Sequence, residues 1–395
     1  MKTMVSHDRR TGRISQLVAD LPPSGIRRFF DLVEQTEGVI SLGVGEPDFA
    51  TPWTFSSAAV TALEIGRTNY TSNLGLLSLR KGIAANLDRR YGVTYDARSE
   101  VLVTVGVSEA LDLACRSILN PGDEVIIIEP CFVSYGATVK LAYGVPVAVS
   151  TAAEDEFVPR IEAIEAAITP RTRAILVSTP SNPTGAVIGR QRLQEINELA
   201  ASHDLLIISD EIYARLSYGE EGHTCFASLP EARERTILLN GFSKAYAMTG
   251  WRIGYACAPG DIIAAMNKVH QYSMMCASIV SQEAALEALK RGERHVQDMV
   301  KAYNQRRRVV VDGFNRIGLK CFEPRGAFYT FPSIAATGLD EETFCERLLA
   351  EQKVATVPGS AFGACGAGHI RATYAASMEQ LREALARIER FVQSL

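Results

Sequence analysis

The stretch TILLNGFSKAYAMTGWRIGY, residues 236–255, decides how the rest of the chain is read. Its apolar run Ile237-Leu238-Leu239 is too short for a core helix and fits a buried strand. Asn240-Gly241 ends that strand, and Ser243, Lys244 and Arg252 follow closely. A lysine just past the end of a buried strand stands where open α/β sheets bind ligands. Taken by itself, Lys244 is better explained as a solvated surface residue. Its neighbours change that balance: Ser243 offers a hydroxyl to an anion, and Arg252 can grip a phosphate bidentately. A lysine between such groups suits a Schiff base to an aldehyde cofactor that carries a phosphate.

Working outward, 395 residues suffice for a sizeable core and point to two domains. Hydrophobic residues make up 47% and charged residues 22%, as in globular proteins, and the formal net charge of −4 gives no electrostatic case for nucleic acid or an anionic membrane. The basic run Arg306-Arg307-Arg308 is expected on a solvated helix face. Eight cysteines, at 115, 131, 225, 257, 276, 321, 345 and 365, form no C-x-x-C pair and no zinc-ligand spacing. They are expected to be small buried thiols in a reducing compartment, with no metal site. No apolar signal region and no run of eighteen apolar residues is present, so a cytoplasmic location is expected.

In chain order, Ser24 can cap a helix reaching Glu37, and Val39–Leu42 forms a short strand entering Gly43-Val44-Gly45-Glu46-Pro47-Asp48-Phe49, a tight connector. Helices are expected over 53–66 and from Gly75 to Tyr91, with Tyr70 between them. Val101–Val105 is a strand that Gly106-Val107-Ser108 turns into a helix, bringing backbone N–H groups and a positive helix end together as a phosphate site. Strands follow at 124–129, before Phe132, and at 174–178, before Thr179-Pro180-Ser181-Asn182-Pro183-Thr184-Gly185. Leu205–Ser209 fits a strand covered on both faces, with Asp210 at its carboxyl end and Tyr213 three residues on. A carboxylate buried there needs a cation opposite it; otherwise it merely caps the next helix. Beyond Tyr255 the pattern shifts to long amphipathic helices (262–274, 279–291, 295–317), then strands at 326–331, 354–357 and 369–375, with a helix over 343–351. Arg371, flanked by apolar residues, lies on an edge or is buried against an anion.

Ser243-Lys244 followed by Gly250-Trp251-Arg252-Ile253-Gly254-Tyr255 resembles the pyridoxal-phosphate lysine signature of class I aminotransferases, and the GxGEPDF and SNPTG runs stand in that family's order from Pro22 to the C-terminus. The resemblance implies an α/β fold, that of pyridoxal-phosphate fold type I enzymes. Its large three-layer αβα domain holds a mainly parallel mixed sheet (residues 46–277), and a smaller α+β domain joins residues 1–45 to 278–395. It further implies pyridoxal 5′-phosphate as cofactor, with Lys244 as its Schiff-base partner and general acid–base. Asp210 would face the ring nitrogen. Asn182 and Tyr213 would bond the phenolic oxygen, and Phe132 would stack on the ring. Val107, Ser108, Ser243 and Arg252 would hold the phosphate. Gly45, Asn182 and Arg371 would receive the substrate carboxylate, and Tyr70 would reach the cofactor phosphate of the other subunit in a homodimer.

The expected reaction moves the α-amino group of an amino acid to a 2-oxo acid such as 2-oxoglutarate in two half-reactions. Aspartate-type bacterial relatives often carry a lysine where this chain has Ser108, and others bring an arginine across the dimer near 271–278. Here HQYSMMCA, residues 270–277, contains none. Both departures argue against a dedicated dicarboxylate pocket, and the 270–277 stretch resembles relatives that act on aromatic or N-acylated diamino acid substrates; a broad or aromatic-preferring donor is expected, with aspartate or N-acetyl-diaminopimelate as the alternative. A C–S β-lyase shares the same machinery. A non-catalytic effector domain lacks a winged helix upstream, and a nicotinamide enzyme lacks its G-x-G-x-x-G turn.

Overall fold

A computed structural model of the chain describes residues 12–22, 33, 36–219 and 222–395. The helix expected from Ser24 to Glu37 lies mostly outside them. Among the described residues, strands β1 (Ile40–Ser41), β2 (Val101–Thr104), β3 (Glu124–Glu129), β4 (Val145–Ser150), β5 (Thr172–Ser178), β6 (Leu206–Asp210), β7 (Thr236–Gly241) and β8 (Gly254–Cys257) precede β9 (Tyr329–Thr330), β10 (Val354–Ala355), β11 (Val357–Pro358) and β12 (Ile370–Thr373).

The central sheet has the order β2-β8-β7-β6-β5-β3-β4. Its pairs are parallel from β7 through β4, whereas β8 is antiparallel to both β2 and β7. The parallel strands are nearly continuous apolar runs because both faces are covered. Leu176, Ile208, Ile237 and Leu239 pack under helix Gly106–Ile118 through Ala110, Leu113 and Ala114. Their alternates Ile175, Val177 and Ile207 pack with Leu193 and Ile196 of helix Arg190–Ser202, as the two-residue period of a strand requires.

Strand β8 reverses direction for a simple reason. Residues 242–253 return from β7 without a crossover helix, and a short return makes an antiparallel neighbour. That loop carries Ser243, Lys244 and Arg252, and β8 brings it against the start of helix Gly106–Ile118. The approach is close: a Cβ on Gly254 would lie 2.7 Å from the Gly106 carbonyl carbon.

Helix Ile279–Arg291 packs on helices Trp53–Glu64 and Leu77–Tyr91, whereas helix Glu293–Ile317 packs on Met378–Gln393. Strand β1 pairs in parallel with β10, joining the early segment to the late one. Two expectations change here. The strand anticipated over 326–331 is only Tyr329–Thr330, since Gly326 and Ala327 bond to loops beside Gly185 and Leu216 instead. Arg307 is buried, donating to Glu323 and the Pro324 carbonyl, while Arg306 pairs with Asp48. All eight cysteines are free thiols, six of them buried. No described helix is long and apolar enough to cross a membrane.

Candidate active site

The carboxyl ends of β2, β5, β6 and β7 open on a cleft of about 990 Å3, the position open α/β sheets favour for ligands. Asp210 ends β6 and is paired with Leu239 on one side and Ser178 on the other. Its side chain is buried. One oxygen accepts from the Tyr135 hydroxyl at 2.7 Å, the other from the Ile212 N–H at 3.1 Å. Desolvation pushes its pKa up, and those two bonds oppose the rise.

Across the cleft, the Lys244 amine donates to the Gly45 carbonyl at 2.5 Å. Burial lowers its pKa from 10.5 to about 8, with Glu46 acting against the drop and Arg371 and Arg252 adding to it. Gly45 serves close approach in an unexpected way: a Cβ there would stand 2.8 Å from the Tyr329 hydroxyl, so the missing side chain makes room for that tyrosine. Tyr329 in turn shares a 2.8 Å hydrogen bond with Tyr213.

Arg371, on β12, is 2% exposed. It donates to Asn182 Oδ1 at 2.9 Å and to the Gly43 carbonyl at 2.5 Å, and its guanidinium carbon lies 4.6 Å from the Tyr329 ring centre. Its Nε has no partner among the described residues. Because arginine only donates, Asn182 must turn its oxygen to Arg371, which leaves the amide nitrogen as the group it can present to a ligand. Burial pushes the Arg371 pKa down, a direction that an anion in the cleft would reverse.

At the other end, Gly106 opens its helix at φ +76°, and a Cβ there would meet Arg252 Nη2 at 2.8 Å. Arg252 itself holds φ +51°, a conformation that costs a non-glycine residue of the order of 1 kcal/mol and is kept where function needs it. Guanidinium, helix N-terminus, Ser108 and Ser243 thus converge at one end of the cleft. Every residue singled out for the site borders it, including Val107 and Phe132, except Tyr70. Tyr70 is 80% exposed and does not line this chain's own cleft. Sequence reading missed Tyr135, Tyr329, Glu46 and Thr249 as lining residues. Tyr135 carried one signal, its spacing of three residues from Phe132, which sets both rings on the same side of the chain where it enters its helix.

The family description "Aminotransferase class I and II" matches residues 37–388. The chain belongs to this family. It is 53% identical to YugH of Bacillus subtilis over 97% of this chain and 99% of that protein, and 43% identical to an aspartate aminotransferase of Pyrococcus abyssi over 94% and 96%. The solved aromatic aminotransferase from Pyrococcus horikoshii superposes with a TM-score of 0.89 at 44% identity, covering 93% of this chain and 99% of that one. The protein is therefore a pyridoxal-phosphate-dependent aminotransferase of fold type I. Its donor set fits that cofactor. The cleft holds a buried carboxylate that forms no ion pair among the described residues, an amine shifted toward its neutral form, and a helix N-terminus where a Cβ at Gly106 would crowd the Arg252 guanidinium.

Proposed function

We propose that the aminotransferase takes its amino group from a broad or aromatic-preferring set of amino acids and passes it to a 2-oxo acid such as 2-oxoglutarate. The two half-reactions would share the cleft between Lys244, Asp210 and Arg371. The observation that carries the reading is the Lys244 amine, held under Gly45 with a pKa lowered to about 8, close enough to neutrality to act as nucleophile and base.

When bound, pyridoxal phosphate supplies an aldehyde to be joined by an amine and a ring that accepts electrons. Lys244 takes up and returns the substrate's Cα proton. Asp210, kept in place by Tyr135, would favour the protonated form of the ring nitrogen. Asn182 and Tyr213 would donate to the phenolic oxygen, and Phe132 would offer its ring to the cofactor ring. Val107, Ser108, Ser243 and Arg252 would hold the phosphate. Arg371 would fork the substrate α-carboxylate, a geometry that lysine cannot copy, and its Nε is unpaired among the described residues.

Among the described residues, the cations lining the cleft are Lys244, Arg252 and Arg371. Each has a role above, so none is left for the second carboxylate of aspartate. Leu111, Phe132, Val133 and Ile212 offer apolar surface instead. The exposed ring of Tyr70, with Tyr272, Met274 and Met275 also exposed, supports a homodimer in which Tyr70 completes the neighbouring site. The same reading keeps the division into residues 46–277 and 1–45 with 278–395, and a cytoplasmic enzyme whose thiols stay free. A panel of amino donors with 2-oxoglutarate tests the substrate class: fast exchange with aspartate alone overturns it, and release of pyruvate and ammonia from cysteine conjugates would mark a β-lyase. Lys244→Ala should abolish both the visible absorbance of bound cofactor and all turnover; turnover that persists refutes the role of Lys244.

A further inference from the structure

Two side chains beside the phosphate cradle have no part in the chemistry above. Helix Gly106–Ile118 starts with no side-chain cap at Val105. Instead, Glu109 reaches back over the first turn, and its Oε2 accepts the Val105 N–H at 2.5 Å. Its Oε1 meets His270 Nδ1 at 2.7 Å. His270 is fully buried in the last turn of helix Gly260–Ser273, which packs along Gly106–Ile118. The His270 carbonyl accepts the N–H groups of Met274 and Met275, both at 2.9 Å, fixing the residue where its helix ends.

His270 Nε2 has no partner among the described residues. A neutral ring protonated at Nδ1 suits that arrangement, because it donates to a carboxylate and leaves only a bare lone pair at Nε2. The opposite tautomer would turn a lone pair toward the carboxylate and bury an N–H without an acceptor. Glu109 is thus held by two donors, one on each oxygen.

The first turn of a helix attracts any anion, and Glu109 is an anion on that turn. Released, its carboxylate would compete for the open N–H groups of Val107 and Ser108. We propose that His270 and Glu109 form a strut that pins the Val105–Ser108 turn and keeps the chain's own carboxylate out of the phosphate seat, thereby setting affinity for the phosphorylated cofactor. The proposal rests on the assignment of that turn to the phosphate. Both are positioning residues.

The test compares pyridoxal phosphate with pyridoxal, which has the same aldehyde and no phosphate, by absorbance titration of the cofactor-depleted full chain. His270→Leu should raise the dissociation constant for pyridoxal phosphate about tenfold, the worth of one hydrogen bond to a charged group. Pyridoxal binding should stay within about twofold. In His270→Asn the amide nitrogen stands where Nδ1 stood, so affinity should return to within about threefold of native. Glu109→Gln supplies only one acceptor for two donors and should show the same phosphate-selective loss; it decides the matter should His270→Leu not fold. Equal losses for the two ligands, or native affinity in both His270→Leu and Glu109→Gln, overturn the strut. A native chain with no preference for pyridoxal phosphate over pyridoxal would instead overturn the phosphate assignment beneath it.

Discussion

Replacing Lys244 by methionine, which keeps much of the length and loses the charge, separates folding from chemistry at one residue. In the cofactor-free chain, burial lowers the Lys244 pKa from 10.5 to about 8. The folded value lies below the unfolded one, so the unfolded chain binds more protons between those two pH values. Stability of the native chain therefore rises with pH across that window, and the whole penalty stands below it. The gap between 10.5 and about 8 corresponds to about 3 kcal/mol. That figure is a ceiling, because water reaching the open cleft screens the charge. Lys244→Met should accordingly stabilise the cofactor-free chain by about 2 to 3 kcal/mol near pH 7, with the gain fading above about pH 10. Urea unfolding of both chains at the two pH values measures it. Equal stabilities near neutrality, or a gain that grows with pH, would refute the argument that the site holds its amine by desolvation. The same variant should be inactive, so folding and turnover make opposite demands at this position.

Other perturbations test the groups around Lys244. Tyr135→Phe removes the hydroxyl that favours the charged form of Asp210; the carboxyl pKa should rise further, moving the acid limb of the pH–rate profile upward and lowering kcat about tenfold. An unmoved profile would count against Tyr135. Arg371→Lys loses the planar fork shared with Asn182 and Gly43; the KM for amino donors should rise about a hundredfold while the cofactor absorbance stays intact, checked by steady-state kinetics. Gly106→Ala places a Cβ against Arg252 at a backbone φ of +76°, and the cofactor dissociation constant should rise by about tenfold or more in an absorbance titration.

The parallel strands were readable because a strand buried on both faces is written as an unbroken apolar run, as at Ile237–Leu239 and Leu205–Ser209. The polar residue that ends such a run, Asp210 or the Asn240-Gly241 pair before Lys244, marks the sheet edge where ligands gather. What escaped reading depends on tertiary approach. Gly254–Cys257 looks like a tail of the lysine motif, and only the absence of a crossover helix makes it an antiparallel strand in mid-sheet. Tyr135 reads as an ordinary core aromatic, since nothing local says that its hydroxyl lands on a residue 75 positions later. Gly45 signalled a close approach, but the neighbour is Tyr329, from the far end of the chain. Glu109 and His270 are separated by 161 positions and look unrelated until two helices lie side by side. Tyr70 stays outside its own cleft, and a single chain gives it nothing to touch there.

The bond from Arg371 to the Gly43 carbonyl spans 328 positions of sequence, and the β1–β10 ladder ties the same early segment to residues 354–355. On a ribosome, Gly43 waits for 328 further residues to be made before its partner emerges. The lysine and its sheet can assemble first, from a contiguous nascent stretch; the contact between Arg371 and Gly43 forms later. A nascent chain stalled before residue 371 would carry Lys244 and its sheet without the guanidinium proposed to receive the substrate carboxylate, so under that proposal selectivity begins only once residue 371 has emerged.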